Sequence, residues 1–143
     1  MFDYSKILIN FDNGKINFND SFLISKKVGS LKLTESNLEF IDEKLIFKGS
    51  FNFNVTDQKK FYTIFQISKK NRKLLKNIFF DIKVDSSNNK LNIYNFKIND
   101  KKNIANENTM NIINQYNSNK ENKIQNWINL KNFTREIFNS YFG

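Results

Sequence analysis

Chemistry in this chain has to come from carboxylates, hydroxyls and amines, because the sequence holds no cysteine and no histidine. That removes thiolate nucleophiles, imidazole bases, disulfides and nearly every zinc, copper or haem site. Metal binding or acid catalysis would need converging carboxylates, and the candidates are Asp42 with Glu43 and Asp81 with Asp85. Asp81 and Asp85 share the polar side of one strand but stand about 13 Å apart by strand rise, too far to share a metal or a proton. Asp42 and Glu43 point opposite ways if extended and are better explained as a turn. Neither a nucleophile–base pair nor a phosphate-cradling glycine loop accompanies them. These residues predict a protein that is not an enzyme and takes no cofactor.

Charge offers a second chemistry. Lys+Arg 23 against Asp+Glu 14 gives a formal +9, and between Lys59 and Lys76 seven positive side chains follow one another with no acid between them. Nucleic acid, anionic lipid or an acidic partner would answer to such a segment. Arginine, the preferred reader of bases and phosphates, is limited to Arg72 and Arg135. The nearby Phe61 and Phe65 fall at core-type helical spacing rather than on an exposed stacking face. Single-stranded nucleic-acid binding is therefore the third reading. Lys69, Lys70, Arg72 and Lys73 are candidates for contact with lipid headgroups or a membrane surface, where lysine serves as well as arginine. Lys, Asn, Ile and Phe dominate the whole chain and proline is absent, the bias of an AT-rich genome, which discounts the global charge.

The third chemistry is hydrocarbon. Aromatic residues make 15% of the chain, 16 of them phenylalanine, and many alternate in extended segments. In LIFKGSFNFNV, Leu45, Phe47, Gly49, Phe51, Phe53 and Val55 share one side of a strand, with Ile46, Lys48, Ser50, Asn52 and Asn54 on the other. Ile78, Phe80, Ile82 and Val84 alternate in the same way. The expected apolar face is Leu45, Phe47, Phe51, Phe53, Val55, Ile78, Phe80, Ile82 and Val84. In a closed sandwich it would be ordinary core. In an open curved sheet it would be a trough that shields acyl chains, with burial contributing about 0.8 kcal/mol per methylene. Phe51→Asp separates the two: a groove loses lipid, whereas a core unfolds.

The elements that must carry this face are mainly strands. Ile7 to Phe11 and Lys15 to Asn19 flank an Asp12-Asn13-Gly14 turn and predict a hairpin. Strands follow at Phe22 to Ile24, Val28 to Leu33, Leu38 to Ile41, Leu45 to Val55, Ile78 to Val84 and Leu91 to Ile98. In the last of these the apolar pattern slips from Leu91 and Ile93 to Tyr94, Phe96 and Ile98, which predicts a bulge or burial on both faces. Gln58 to Ile67 predicts a short helix capped by Thr56 or Asp57, and a basic loop, Ser68 to Lys73, ends it. A further short helix is expected within Asp100 to Asn122. A C-terminal helix carries Leu130, Phe133, Ile137, Phe138 and Tyr141, with Asn129 as cap and Trp127 and Ile128 packing it on the sheet. The fold class is mainly β (α+β), an antiparallel curved or groove-like sheet with a short helix after Asp57 and a C-terminal helix. One module spans 1–143: strands and short helix over 1–100, a connector over 101–122 and the C-terminal helix over 123–143.

KLIFKGSFNFNVTDQKKFYTIFQISKKNRKLLKNIFFDIKVD, then LNIYNFKIND, then NWINLKNFTREIFNSYFG, taken together over roughly residues 14 to 143, resemble the C-terminal region of AsmA-like bacterial envelope proteins from AT-rich alphaproteobacteria. The resemblance rests on an order of features rather than a catalytic signature: an alternating strand, a helix begun by Asp57 with Phe61, Tyr62 and Gln66, a basic turn, a hairpin and an aromatic last helix. It implies a piece of a protein anchored in the inner membrane, projecting a β-rich body into the periplasm, associated with outer-membrane biogenesis and moving phospholipid along an apolar groove. It further implies, as partners, phospholipid or a membrane surface, the rest of a longer chain, or envelope proteins. The N-terminus MFDYSKILINFDNG lacks a signal-peptide pattern, and no stretch reaches the roughly 18–20 apolar residues that span a bilayer. The family's anchor and repeated β-body are therefore expected upstream in a longer protein. The runner-up reading is a structural or protein-interaction module using a sheet edge or the C-terminal helix.

Overall fold

A computed structural model describes residues 2–99, 107–123 and 126–143. The strands are β1 Tyr4–Lys6, β2 Asn10–Asp12, β3 Lys15–Asn17, β4 Phe22–Ser25, β5 Gly29–Ile41, β6 Lys44–Val55, β7 Asn77–Asp85 and β8 Lys90–Ile98. The helices are α1 Gln58–Ile64, α2 Glu107–Ser118 and α3 Trp127–Phe142. The strands form one antiparallel, open sheet in the order β1-β4-β5-β6-β7-β8, with the β2–β3 hairpin attached to β5. The architecture is thus mainly β with a helix after Asp57 and another at the C-terminus. The first six residues of the expected connector, 101–106, lie outside the described residues.

Local sequence explains the turns and caps. Asn13 and Gly14 take φ of 49° and 74°, the left-handed pair that a two-residue hairpin requires. Asp42 and Glu43, at 48° and 62°, do the same between β5 and β6, so this carboxylate pair is a turn. Asp57 caps α1 by accepting from the Lys60 N–H at 3.0 Å. The cap of α3 is Asn126 rather than the expected Asn129, whose own N–H is the donor to Asn126 Oδ1 at 3.1 Å.

Two strands expected separately, Val28 to Leu33 and Leu38 to Ile41, are one strand, β5. A bulge falls between Leu33, which pairs with Phe51, and Glu35, which pairs with Ser50. The extra residue, Thr34, donates its hydroxyl to Ser50 O at 3.1 Å. It shifts the inward set from Leu31 and Leu33 to Ser36, Leu38 and Phe40, and in sequence that shift looks like a break. The slip in β8 has the same cause: Asp81 pairs with Tyr94 and Phe79 with Lys97, leaving Asn95 as the added residue at φ 48°.

One face of the sheet carries the helices. Cross-strand partners share a face, so the pairs Leu31–Phe53, Phe51–Phe80, Phe53–Ile78 and Ile82–Ile93 define the apolar side. Phe61 and Tyr62 of α1, Ile113 and Tyr116 of α2, and Phe133, Ile137, Phe138 and Phe142 of α3 pack against Ile78, Leu91, Ile93 and Ile98 in one core. The other face is polar, with Glu39 held between Lys15 at 2.8 Å and Lys48 at 3.3 Å. Those ammonium groups, Lys15 first, keep the Glu39 carboxyl below its ordinary range.

Beyond β8 no ninth strand follows among the described residues. The Asn117 side chain of α2 occupies that line instead, accepting from Ile93 N and donating to Ile93 O, both at 2.8 Å. Asn122 takes Leu91 in the same manner, its backbone O accepting from Leu91 N at 3.2 Å and its side-chain amide donating to Leu91 O. Two asparagine side chains and the Asn122 carbonyl therefore satisfy backbone groups that a free strand would leave open.

Candidate functional site

The helices do not lie flush on the sheet. Between them is a cavity of about 330 Å³. Its floor is Leu31, Phe53, Ile78, Phe80, Ile93 and Phe96, and its roof is Phe61, Ile64 and Phe65 from the α1 region with Leu130, Phe133 and Phe138 from α3. No charged side chain among the described residues lines it. Helical spacing explains the roof, because Phe61, Ile64 and Phe65 project from one side of α1, and Leu130, Phe133 and Phe138 from one side of α3. Phe2 and Trp127 also line the cavity, yet they are 42% and 45% exposed, so the space reaches the surface beside them. Trp127 packs on Phe65 with ring centroids 5.9 Å apart.

The expected apolar face divides along its length. Phe53, Ile78 and Phe80 line the cavity. Val55, Ile82 and Val84 are partly buried against the helix-side core without lining it. Phe51 stacks on Phe80 at 5.4 Å and stands one position outside the cavity, so the residue chosen from sequence to separate groove from core is part of the wall's support. Phe47 meets Phe18 at 6.0 Å, and Leu45, at the far end of β6, is exposed. Of the residues expected to pack α3 on the sheet, Ile128 points to solvent.

The basic segment lies elsewhere. Lys69 and Lys70 are exposed in a 3-10 turn, Lys69–Asn71, whose Asn71 amide donates to Asn139 Oδ1 at 2.9 Å. Arg72 donates to Ile67 O at 3.0 Å and covers the Tyr62 ring, while Lys73 sits 6.0 Å from the Phe142 ring. Trp127 is twelve residues, about 18 Å along α3, from Asn139. The lysines and the cavity mouth therefore stand near opposite ends of one helix. The aromatics between the lysines, Phe61 and Tyr62, are buried, and Tyr62 donates its hydroxyl to Lys73 O. Burial raises the Tyr62 hydroxyl pKa against a smaller lowering by Arg72.

Asp81 and Asp85 hold local structure: Asp81 accepts from Asn95 at 2.5 Å and Asp85 from the Ser87 hydroxyl at 2.6 Å. Among the described residues there is no group of three or more His, Cys, Asp or Glu placed to hold a metal. No helix among them is long and apolar enough to cross a membrane.

No protein-family model, curated protein or solved structure matches this chain. The arrangement can accept a hydrocarbon chain: an apolar space of the size that small ligands occupy, about 300–1,000 Å³, walled by aromatic rings and reachable past Phe2 and Trp127. Sequence reasoning placed the roof residues in the core, and helical spacing alone has no signal for the gap beneath them. It passed over Ser25, which lines the same cavity.

Proposed function

We propose that this protein is a non-enzymatic lipid-handling module, the C-terminal part of an AsmA-like envelope protein, which shields phospholipid acyl chains in the space between its sheet and helices. It works in the periplasm in outer-membrane biogenesis, attached to an inner-membrane anchor. The observation that carries the reading is the cavity of about 330 Å³, lined by hydrocarbon and open beside Trp127. A hydrocarbon ligand packs a space of that size and lining as side chains pack a closed core. Lys69 and Lys70 serve a membrane surface rather than the headgroup of the chain in the cavity, because the mouth is at the other end of α3.

Trp127 is the sole tryptophan, so its emission reports on the mouth directly. Phospholipid with brominated acyl chains is expected to quench it saturably, and extraction of the purified protein is expected to yield phospholipid by mass spectrometry. Quenching that rises only linearly with lipid, together with a lipid-free extract, refutes the proposal.

A second reading, a protein-interaction module, draws on Phe11 and Phe40, 78% and 70% exposed on the apolar face of the sheet, where Phe40 pairs with Leu45 and Phe11 with Ile16. Under that reading Phe11→Ser with Phe40→Ser abolishes self-association or partner capture while Trp127 quenching is unchanged.

A further inference from the structure

Residues 4–12 run along one margin of the sheet, where β1 pairs with β4 and β2 with β3, each on one side only. Their backbone groups alternate between inward and outward. The two-residue turn at Asn13 and Gly14 makes Asp12 and Lys15 a hydrogen-bonded pair, Asn10 and Asn17 are the next, and Phe11 between them turns its N–H and C=O outward. Leu8 faces inward, donating its N–H to Ser21 Oγ at 2.9 Å and accepting from that hydroxyl at 3.3 Å, so Ile7 and Ile9 on either side of it face outward. Their side chains share a face as well. Phe11 is joined through Ile16 to Leu38, and Ser5 through Leu23 to Leu31, all on the apolar face. The alternation thus carries from β1 to β2 and puts Ile7 and Ile9 on that face with Phe11. These three side chains are 56%, 55% and 78% exposed. Lys6 and Asp12, on the opposite face, are exposed too, and Lys15 across the hairpin from Asp12 is held by Glu39 at 2.8 Å.

We propose that this margin pairs antiparallel with the same margin of a second copy, about a twofold axis at Ile9. Ile9 then faces Ile9 of the second copy, Ile7 faces its Phe11, and Lys6 faces its Asp12. Outward N–H and C=O groups meet across the seam, β-branched and aromatic side chains pair on one face, and opposite charges pair on the other. Moving the axis to Leu8 or Asn10 keeps the outward groups in line but sets Lys6 against Asn10 or Gly14, and Asp12 against Tyr4 or Leu8. Charge therefore selects the register. The order Lys6, Ile7, Ile9, Phe11, Asp12 complements itself when reversed, which is the requirement of an isologous contact and selects a second copy over an unrelated strand. Nothing in this depends on what the cavity holds.

Sedimentation of the full chain from micromolar to millimolar concentration, at about 0.15 M salt to screen the net charge, is expected to show a monomer–dimer equilibrium, with amide exchange at Ile9 and Phe11 slowing as the dimer fills. Lys6→Asp alone and Asp12→Lys alone each set like charges opposite one another at both ends of the seam and are expected to weaken the dimer about tenfold. The two substitutions combined restore opposite charges in reversed order and are expected to recover the parent affinity within about threefold. A mixture of the two single variants is expected to associate more tightly than either alone. Urea resistance at a concentration where the parent is monomeric is expected to change little, which separates association from folding. A chain that stays monomeric over the whole range overturns the contact. So does a dimer in which exchange at Ile9 is unaltered, because it joins through another surface. Single reversals that cost nothing, or a loss that the combined variant does not repair, overturn the register.

Discussion

Leu130→Phe separates a ligand cavity from a loosely drawn core. Leu130 is half-buried on α3 and forms part of the cavity roof, facing a space of about 330 Å³. In a close-packed interior, extra bulk forces neighbours off their rotamers and costs roughly 1–3 kcal/mol. Here the added ring has room. Burying about 40 Å² more apolar surface contributes about 1 kcal/mol, against a few tenths lost in helix propensity. The expected net change is between about 0 and 1 kcal/mol of stabilisation, or a rise in Tm of no more than roughly 5 °C. The same ring takes space from the ligand. Displacing two methylenes of a bound chain removes about 1.6 kcal/mol, about a 15-fold loss of affinity. Ile137→Phe is the control: it lies on the same helix, fully buried in the core and away from the cavity lining. It is expected to lose the full 1–3 kcal/mol and to leave probe affinity of the folded protein unchanged. Urea denaturation and displacement of N-phenylnaphthylamine read the two quantities. If Leu130→Phe destabilises as much as Ile137→Phe and leaves displacement unaltered, the reasoning from cavity to ligand fails.

Two further outcomes follow from the helix layer. Burial pushes the Tyr116 hydroxyl up to about 12, whereas an unfolded tyrosine ionises near about 10. The unfolded chain therefore loses the proton first, so this contribution is intact below about pH 10 and is lost as pH rises to about 12. Stability is expected to fall across that window, and less steeply in Tyr116→Phe; identical slopes in the two proteins argue against it. Asn117→Ala strips both partners from the Ile93 backbone and is expected to cost about 2 kcal/mol. Amide exchange at Ile93 should then accelerate more than at Ile98, and uniform acceleration would assign the effect to global loosening.

The face of the sheet was legible in sequence because a half-buried strand writes its orientation every second residue. Phe51, Phe53, Ile78 and Phe80 could be placed on one side without coordinates. The single strand β5 was not, because Thr34 reverses the alternation within one strand, and a reversal reads as an end. Caps carried less information still: Asn126 and Asn129 are chemically identical, and only the helix start tells which accepts. The cavity lay beyond reach for another reason. Periodicity states which side chains are apolar and inward, but the distance between two apolar layers is set by how α1 and α3 rest on their shared contacts, Phe61 against Phe138 at 5.4 Å among them. Ser25 sits in a strand whose polar residues are expected to face water, so nothing in its neighbours marks it.

The amides of Asn117 and Asn122 on β8 also govern how copies of this molecule can join. A strand cannot be added where Asn117 and Asn122 already hold the Leu91 and Ile93 backbone groups. Growth by strand addition is left to the opposite margin, where β1 has β4 on one side only. Two copies that met there about a twofold axis would each use their single available margin on the other. The pair would then present two terminated sides, and assembly would stop at the dimer instead of propagating into a fibre.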